Sequence, residues 1–351
     1  LHHDGRWSNG DRVTAHDFEF AWKRIVDPAT AAPFSTLMNS VLNAEKLVRG
    51  QIKGTDKLGA KALDDFTFQV TLERPTPYFP SEIPSRLFYP LHEKSVRELG
   101  GQWTREGNLI SNGPYRFVAW APQDHIRLEK NEYFREANQV QIDTVIHLPT
   151  EDSSAEVKQF RAGEIDITAT IALQDFQWVM ANLKDEVHIS PQLATYYYPF
   201  NMRLKKFQDA RVRRALALAL NREIITDKVS KAGEIPAYSW VPPGMLGYES
   251  PKMVAAGQDY PSRFAEAQRL MREAGYSTDN PLEIELLYNT NEGHKKMAVA
   301  AASMWKRLGV KVTLRNEEWK VYLASGRSRT YEISRAAWIG DYNDAYTFLE
   351  L

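Results

Sequence analysis

The stretch "LEIELLYNTNEGHKKMAVAAASMWKRLGVKVTL", residues 282–314, changes its period twice. Leu282, Ile284, Leu286 and Tyr288 alternate, which is the pattern of a half-buried strand. From residue 294 the apolar positions fall instead at Met297, Ala300, Ala301, Met304 and Leu308, the stripe of an amphipathic helix over 294–308. Gly309 is placed to end that helix, and 310–314 return to a strand pattern. Strand–helix–strand units generate sheets covered by helices, so the expected fold class is α/β.

The same grammar extends on both sides. A strand at 331–335 follows a short helix near Trp319, and a helix over 262–274 ends at Gly275. Helix 209–220 carries Val212, Leu216, Ala219 and Leu220, and a further helix starts at Asn221. Earlier, a strand in 140–148 leads to Ser153 and Glu156, read as a capping box, then to Val157, Phe160 and a terminating Gly163. Ile165 and Ile167 are expected to begin the next strand.

The N-terminal part reads differently. "WSNGDRVTAHDFEFAWKRIVDP" (7–28) gives a turn, an N-cap pair Thr14–Asp17, and a helix burying Phe18, Ala21, Trp22 and Ile25 until Asp27-Pro28. Residues 64–73 alternate as a strand, 74–84 hold four prolines in an irregular segment, and 112–130 form a hairpin. No 20–50-residue repeat occurs, and a break falls near 195–202, giving at least two lobes.

Composition narrows the function. The 44 basic and 45 acidic residues leave no net field to attract nucleic acid. No apolar run approaches the roughly 18 residues of a spanning helix. Cysteine is absent, which excludes a disulfide scaffold, thiolate zinc ligation and thiol catalysis. The eight histidines are scattered without H-x-x-H or H-E-x-x-H spacing, so no metal is expected. G-x-S-x-G, G-x-x-x-x-G-K-[ST] and G-x-G-x-x-G are all missing, and no cofactor or catalytic group is expected. What the chain does have is rings: nine Trp and 16 Tyr, with Tyr196-Tyr197-Tyr198, Trp319 and Trp338 in positions that read as loops. Rings with polar tips suit a moderately sized polar ligand, although core packing is the simpler account of most of them.

The chain resembles the extracytoplasmic peptide-binding proteins of ABC importers, the oligopeptide-binding group of solute-binding family 5. The resemblance is carried by "RWSNGDRVTAHDFEFAWKRIVDP" (6–28), "SNGPYRF" (111–117), "RAGEIDIT" (161–168), "TYYYPFNMRLKKFQDARVRRALALALNREII" (195–225), residues 286–312, and "YEISRAAWIGDYND" (331–344), in the family's order. It implies a type II periplasmic-binding-protein fold, two lobes joined by a hinge, with an additional small α+β domain. Residues 1–94 would be that domain, 95–195 part of the first lobe and 196–351 most of the second. Relative to the family, a segment before Leu1 and a longer one after Leu351 are missing.

The resemblance also implies an oligopeptide ligand, a membrane permease partner, a periplasmic or lipid-anchored location, a monomer and no catalysis. Residue by residue, Asp341 matches the aspartate that binds the peptide's α-ammonium group, and Arg335 and His294 match cations that meet its carboxylate. Trp319 and Trp338 match rings lining side-chain pockets, and Ala337 and Ile339 match positions whose main chain bonds the peptide. Tyr197 belongs to the aromatic run at the lobe junction. Phe34 stands where close relatives have a tyrosine, so a hydroxyl contact is lost. A cell-wall murein peptide is the alternative ligand within the same class.

Overall fold

Helix Ala15–Val26 begins where a buried carboxylate folds back on the chain. Asp17 Oδ2 accepts from Thr14 N at 2.8 Å and from Trp7 Nε1 at 3.3 Å, so the expected N-cap pair forms and also fastens a tryptophan. Trp22, on the inner face, donates Nε1 to Phe88 O at 3.0 Å and meets the Phe68 and Phe88 rings edge-on. This computed structural model describes residues 1–150 and 152–351, which fall into two compact units, 1–151 and 152–351.

In the first unit, strands β1 (Ala60–Ala62) and β2 (Phe68–Val70) pair antiparallel. The strand expected over 64–73 is thus shorter in its ladder. Asp64 Oδ1 accepts from Phe66 N and Thr67 N, both at 2.8 Å, and bends those residues into a turn. The alternation was real nonetheless, since Phe66, Phe68, Val70 and Leu72 are each half-buried between exposed neighbours. Strands β3 (Tyr115–Ala121) and β4 (His125–Lys130) form the expected hairpin, with an irregularity between Phe117 and Ala119. Strand β5 (Thr144–His147) adds antiparallel to β4.

Two expectations fail at the start of the second unit. The residue capping helix Ser153–Ala162 is Asp152, whose Oδ1 accepts from Ser154 N at 2.9 Å; a carboxylate one position earlier takes the role given to Ser153. No strand follows at Ile165 and Ile167, and Ile167 is 84% exposed. Two alternating isoleucines were too short a signal without a partner strand to bury them.

Helix Leu173–Asn182 and the strand at Ala194–Tyr197, which falls in the expected break, were not read from the sequence, whereas the elements after them follow it closely up to Arg335. Strand β6 (Ala194–Tyr197) comes first, then β7 (Glu283–Asn289), helix Glu292–Arg307 and β8 (Lys311–Glu317). Strands β7 and β8 pair in parallel, and β9 (Ile333–Ser334) joins β7 on its other side, giving the order β8-β7-β9. Helices Ala210–Ala219, Tyr260–Glu273 and Glu292–Arg307 contribute Leu216, Met271 and Trp305 to one core with Ile284 and Leu286 of β7. Trp305 also donates Nε1 to Leu216 O at 2.9 Å, which fixes one helix against another.

The sequence reading ended a strand at Arg335 and placed a loop beyond. Instead the chain changes sheets there. Strand β10 (Ala336–Ile339) leaves the parallel sheet and pairs antiparallel with β6, Ala336 opposite Tyr197 and Ile339 opposite Ala194. Trp338 and Tyr197, both read as loop residues, therefore lie on strands, and Trp319 opens helix Trp319–Ser328.

Candidate functional site

The strand change at Arg335 organises the site. Arg335 N donates to Leu287 O at 2.8 Å, the last bond to β7 along this edge, and the Arg335 carbonyl accepts from Tyr322 Oη. Beyond that point β7 ends at Asn289, while the chain continues as β10. The side of β10 turned toward β7 therefore has no strand within this unit.

The register says which groups face that side. Gly340 N donates to Leu193 O at 2.9 Å, so the pair Gly340–Leu193 is hydrogen-bonded. In an antiparallel ladder bonded and non-bonded pairs alternate. Trp338 and Ala336 then spend their main-chain groups on β6, whereas Ala337 and Ile339 direct theirs away from it. Both residues are exposed.

Cationic and aromatic groups gather at the Arg335 end. The guanidinium lies 5.2 Å over the Tyr196 ring and donates Nη1 to Asn289 Oδ1 at 3.3 Å. His294 sits in the first turn of helix Glu292–Arg307, where Asn291 Oδ1 caps its backbone N–H at 3.0 Å. Its ring is 5.8 Å from that of Tyr196. Burial, with the Arg335 charge added, pushes the His294 pKa down to about 4, so the ring is neutral near neutrality. Arg335 forms no ion pair among the described residues. Its Nε and the Tyr196 and Tyr198 hydroxyls are buried without a well-formed hydrogen bond, although these groups lie near enough to act on one another. Burial raises both phenols. A guanidinium with no carboxylate, beside a neutral imidazole, is a site short of negative charge.

The other end is open. Asp341 is exposed, and its backbone N–H donates to Thr347 Oγ1 at 3.1 Å. Trp338 donates Nε1 to Thr347 O at 2.8 Å and packs on a small core of Val241, Met245, Ala345 and Phe348. Helix Tyr346–Leu349 thus braces the strand end that carries the aspartate.

Of the other expected residues, Trp319 is 49% exposed and stacked on Tyr322 at 5.7 Å. Tyr197 meets Trp240 edge-on at 4.7 Å. Phe34, 63% exposed, belongs to the first unit and adopts a left-handed φ of 62°, unusual for a bulky side chain. Sequence reasoning missed Asn289, Tyr322 and Trp240. Trp240 O accepts from Thr195 Oγ1 at 2.9 Å and its Nε1 donates to Phe348 O at 2.5 Å, so it clamps β6 to the terminal helix. A polar Asn closing the apolar strand run, and a Tyr three residues after Trp319, were the available signals.

The whole chain, residues 1–351, matches the model of the bacterial extracellular solute-binding proteins, family 5, middle region, and the chain belongs to that family. It is 40% identical to the periplasmic oligopeptide-binding protein OppA of Salmonella typhimurium over 99% of its length, and spans 65% of that relative. Among solved structures, the murein tripeptide-binding protein MppA of Escherichia coli superimposes with a TM-score of 0.93 at 36% identity, covering 100% of this chain and 69% of the other. OppA of Haemophilus influenzae in complex with the peptide RPPGFSPFR gives 0.88 at 39% identity, over 99% and 69% of the two chains. The fold is of the type II periplasmic-binding class, as expected from the sequence.

Proposed function

We propose that the protein is an extracytoplasmic receptor that binds oligopeptides and delivers them to an ABC-type import permease. The observation that carries this reading is the open side of β10. It presents the main-chain groups of Ala337 and Ile339 between a cationic end at Arg335 and an acidic end at Asp341. An extended peptide completes such an edge by main-chain pairing, which gives affinity without dependence on side chains. With its carboxylate at Arg335 and its ammonium at Asp341, the ligand runs antiparallel to β10. Trp319 and Trp338 border its side chains, His294 supports the carboxylate end, and Tyr197 adds aromatic surface. In this reading residues 1–94 form the small extra domain, 95–195 part of one lobe and 196–351 most of the other, acting as a monomer without catalysis. The names of the relatives, periplasmic and peptide-binding, support the location and the ligand class.

Calorimetric titration with tri- to pentapeptides tests the reading. Binding is expected, weakened by N-acetylation and by C-amidation. Affinity indifferent to both modifications would remove the anchors, and cleaved peptide in the mass spectrum would indicate an enzyme instead. A murein tripeptide in the same titration discriminates the second ligand, which the similarity to MppA supports.

A further inference from the structure

The Arg335 end, where the ligand's carboxylate is proposed to sit, gathers positive charge without a paired carboxylate among the described residues. Arg335 and His294 approach the Tyr196 ring, at 5.2 Å and 5.8 Å respectively, and no carboxylate of the described residues pairs with the guanidinium. The imidazole belongs to the first turn of a 16-residue helix, whose positive end also opposes a second charge. Without a bound anion, a proton on His294 would face Arg335 and the helix dipole, opposed in the same turn by Glu292, which itself pairs with Lys295 at 3.5 Å.

An anion at this position reverses that balance. A carboxylate on Arg335 neutralises the guanidinium field that His294 feels, and one that also reaches the ring offers it a hydrogen-bond acceptor. We infer that a carboxylate docking beside Arg335 is taken up together with a proton that lodges on His294, so that ligand affinity rises as the medium becomes more acidic. The inference rests on the receptor reading and adds a regulatory property to it. Bookkeeping of charge is simple: the empty site holds one positive charge, and the occupied site holds two against the ligand's one negative charge, the extra proton coming from solvent.

The groups around the ring bear on this in different directions. Arg335, arriving from the β9–β10 junction, disfavours the proton until an anion binds. Tyr196 and Tyr198 of the β6 region are neutral, because burial raises their phenols further from neutrality. On the helix itself Glu292 and Lys295 pair with each other at 3.5 Å. Helix Leu173–Asn182 contributes the apolar Leu173, which lies 3.2 Å from where a Cβ on Gly293 would stand.

The sign follows from linkage. The free ring titrates at about 4 and the occupied site is expected to return it toward the ordinary value of about 6.5. Between those values the complex holds a proton that the free protein lacks, so binding weakens as pH rises through the window. Above it and below it the dependence disappears.

The test is calorimetry of the full chain with trialanine, in buffers of different ionisation enthalpy, at about pH 5.5 and about pH 7.5. At the lower pH the apparent enthalpy should depend on the buffer, corresponding to uptake of on the order of half a proton or more, with affinity roughly three- to tenfold higher than at the upper pH. His294→Gln and trialanine amide should each abolish the buffer dependence. The His294 ring signals, followed by NMR, should titrate higher in the saturated complex than in the free protein. Binding without buffer dependence, or uptake that persists in His294→Gln, overturns the inference and leaves the receptor reading standing. Failure of every peptide to bind at either pH overturns both.

Discussion

The two ends of β10 are built on opposite principles. At Arg335 the charged group is half-buried, packed on Tyr196, tied to Asn289 and held by a backbone bound on both sides, at N to Leu287 and at O to Tyr322. At Asp341 the charged group is exposed, and what is fixed is the strand end beneath it, through Thr347 and Trp338. A preorganised, partly desolvated charge contributes more per contact than an exposed one, because it is less screened and loses less freedom on binding. The proposed carboxylate end should therefore dominate affinity, with the ammonium end setting direction.

The largest expected effect breaks that comparison outright. Arg335→Met should cost a carboxylate-terminated peptide about 2–5 kcal/mol, the usual penalty for truncating one partner of a desolvated charge pair. The same variant should cost the C-amidated peptide far less, and equal losses for both would mean that the guanidinium is only structural. Next comes Asp341→Asn, expected to weaken binding by about 1.5–3 kcal/mol, the range of a hydrogen bond to a charged group, with an N-acetylated peptide unaffected. If Asp341→Asn proves the more damaging of the two, the ranking of the ends is wrong.

A third comparison sharpens the register. Ala336→Pro removes an N–H used inside the β6–β10 ladder without deleting a large side chain, and should destabilise the fold by on the order of 1–3 kcal/mol in denaturant titration. Ile339→Pro removes an N–H that faces the open side, and should cost much less stability than binding. Equal destabilisation by both would refute the assignment of which groups face outward.

Smaller again is the acid sensitivity of the ligand-free fold. His294 has a folded pKa depressed to about 4, so the unfolded chain binds the proton more readily. Stability from this residue is therefore complete above about pH 6.5 and declines as pH falls toward 4, by on the order of 1–2 kcal/mol after allowing for its partial exposure. His294→Gln should flatten that part of the stability–pH curve. The smallest effect belongs to Glu350, whose carboxyl is raised by burial and, against the hydrogen bond from Tyr342, by nearby Asp341. A raised carboxyl is a liability at neutral pH that fades on acidification, so Glu350→Gln should raise the unfolding midpoint slightly at pH 7 and not near pH 3.

Legibility of the sequence differed along the same lines. The element types around β7 and helix Glu292–Arg307 could be read directly, because burial of Leu286, Ala301 and Trp305 imposes a period on the sequence. Features set by pairing between distant segments left no such trace. The absent strand at Ile167 and the sheet change at Arg335 turn on pairing with residues far away in sequence, which one-dimensional periodicity does not record, whereas the cap at Asp152 was a local choice between neighbouring capping residues. The site divided similarly. Asp341 and Arg335 could be placed through the family's motif, whereas Asn289, Tyr322 and Trp240 became visible only through what they touch.

Tyr322 has a consequence for how such a protein can change over time. One face of its ring stacks on Trp319, proposed to border ligand side chains, and its hydroxyl holds the Arg335 carbonyl. Under that proposal, selectivity and anchorage share a mechanical part. A lineage that remodels the Trp319 pocket to accept new cargo also disturbs the anchor, and compensating substitutions should cluster at Tyr322 and Ser334, whose hydroxyls lie 3.1 Å apart. If the proposed function holds, changes of ligand are expected to come in coupled steps, and their effects on affinity to be non-additive.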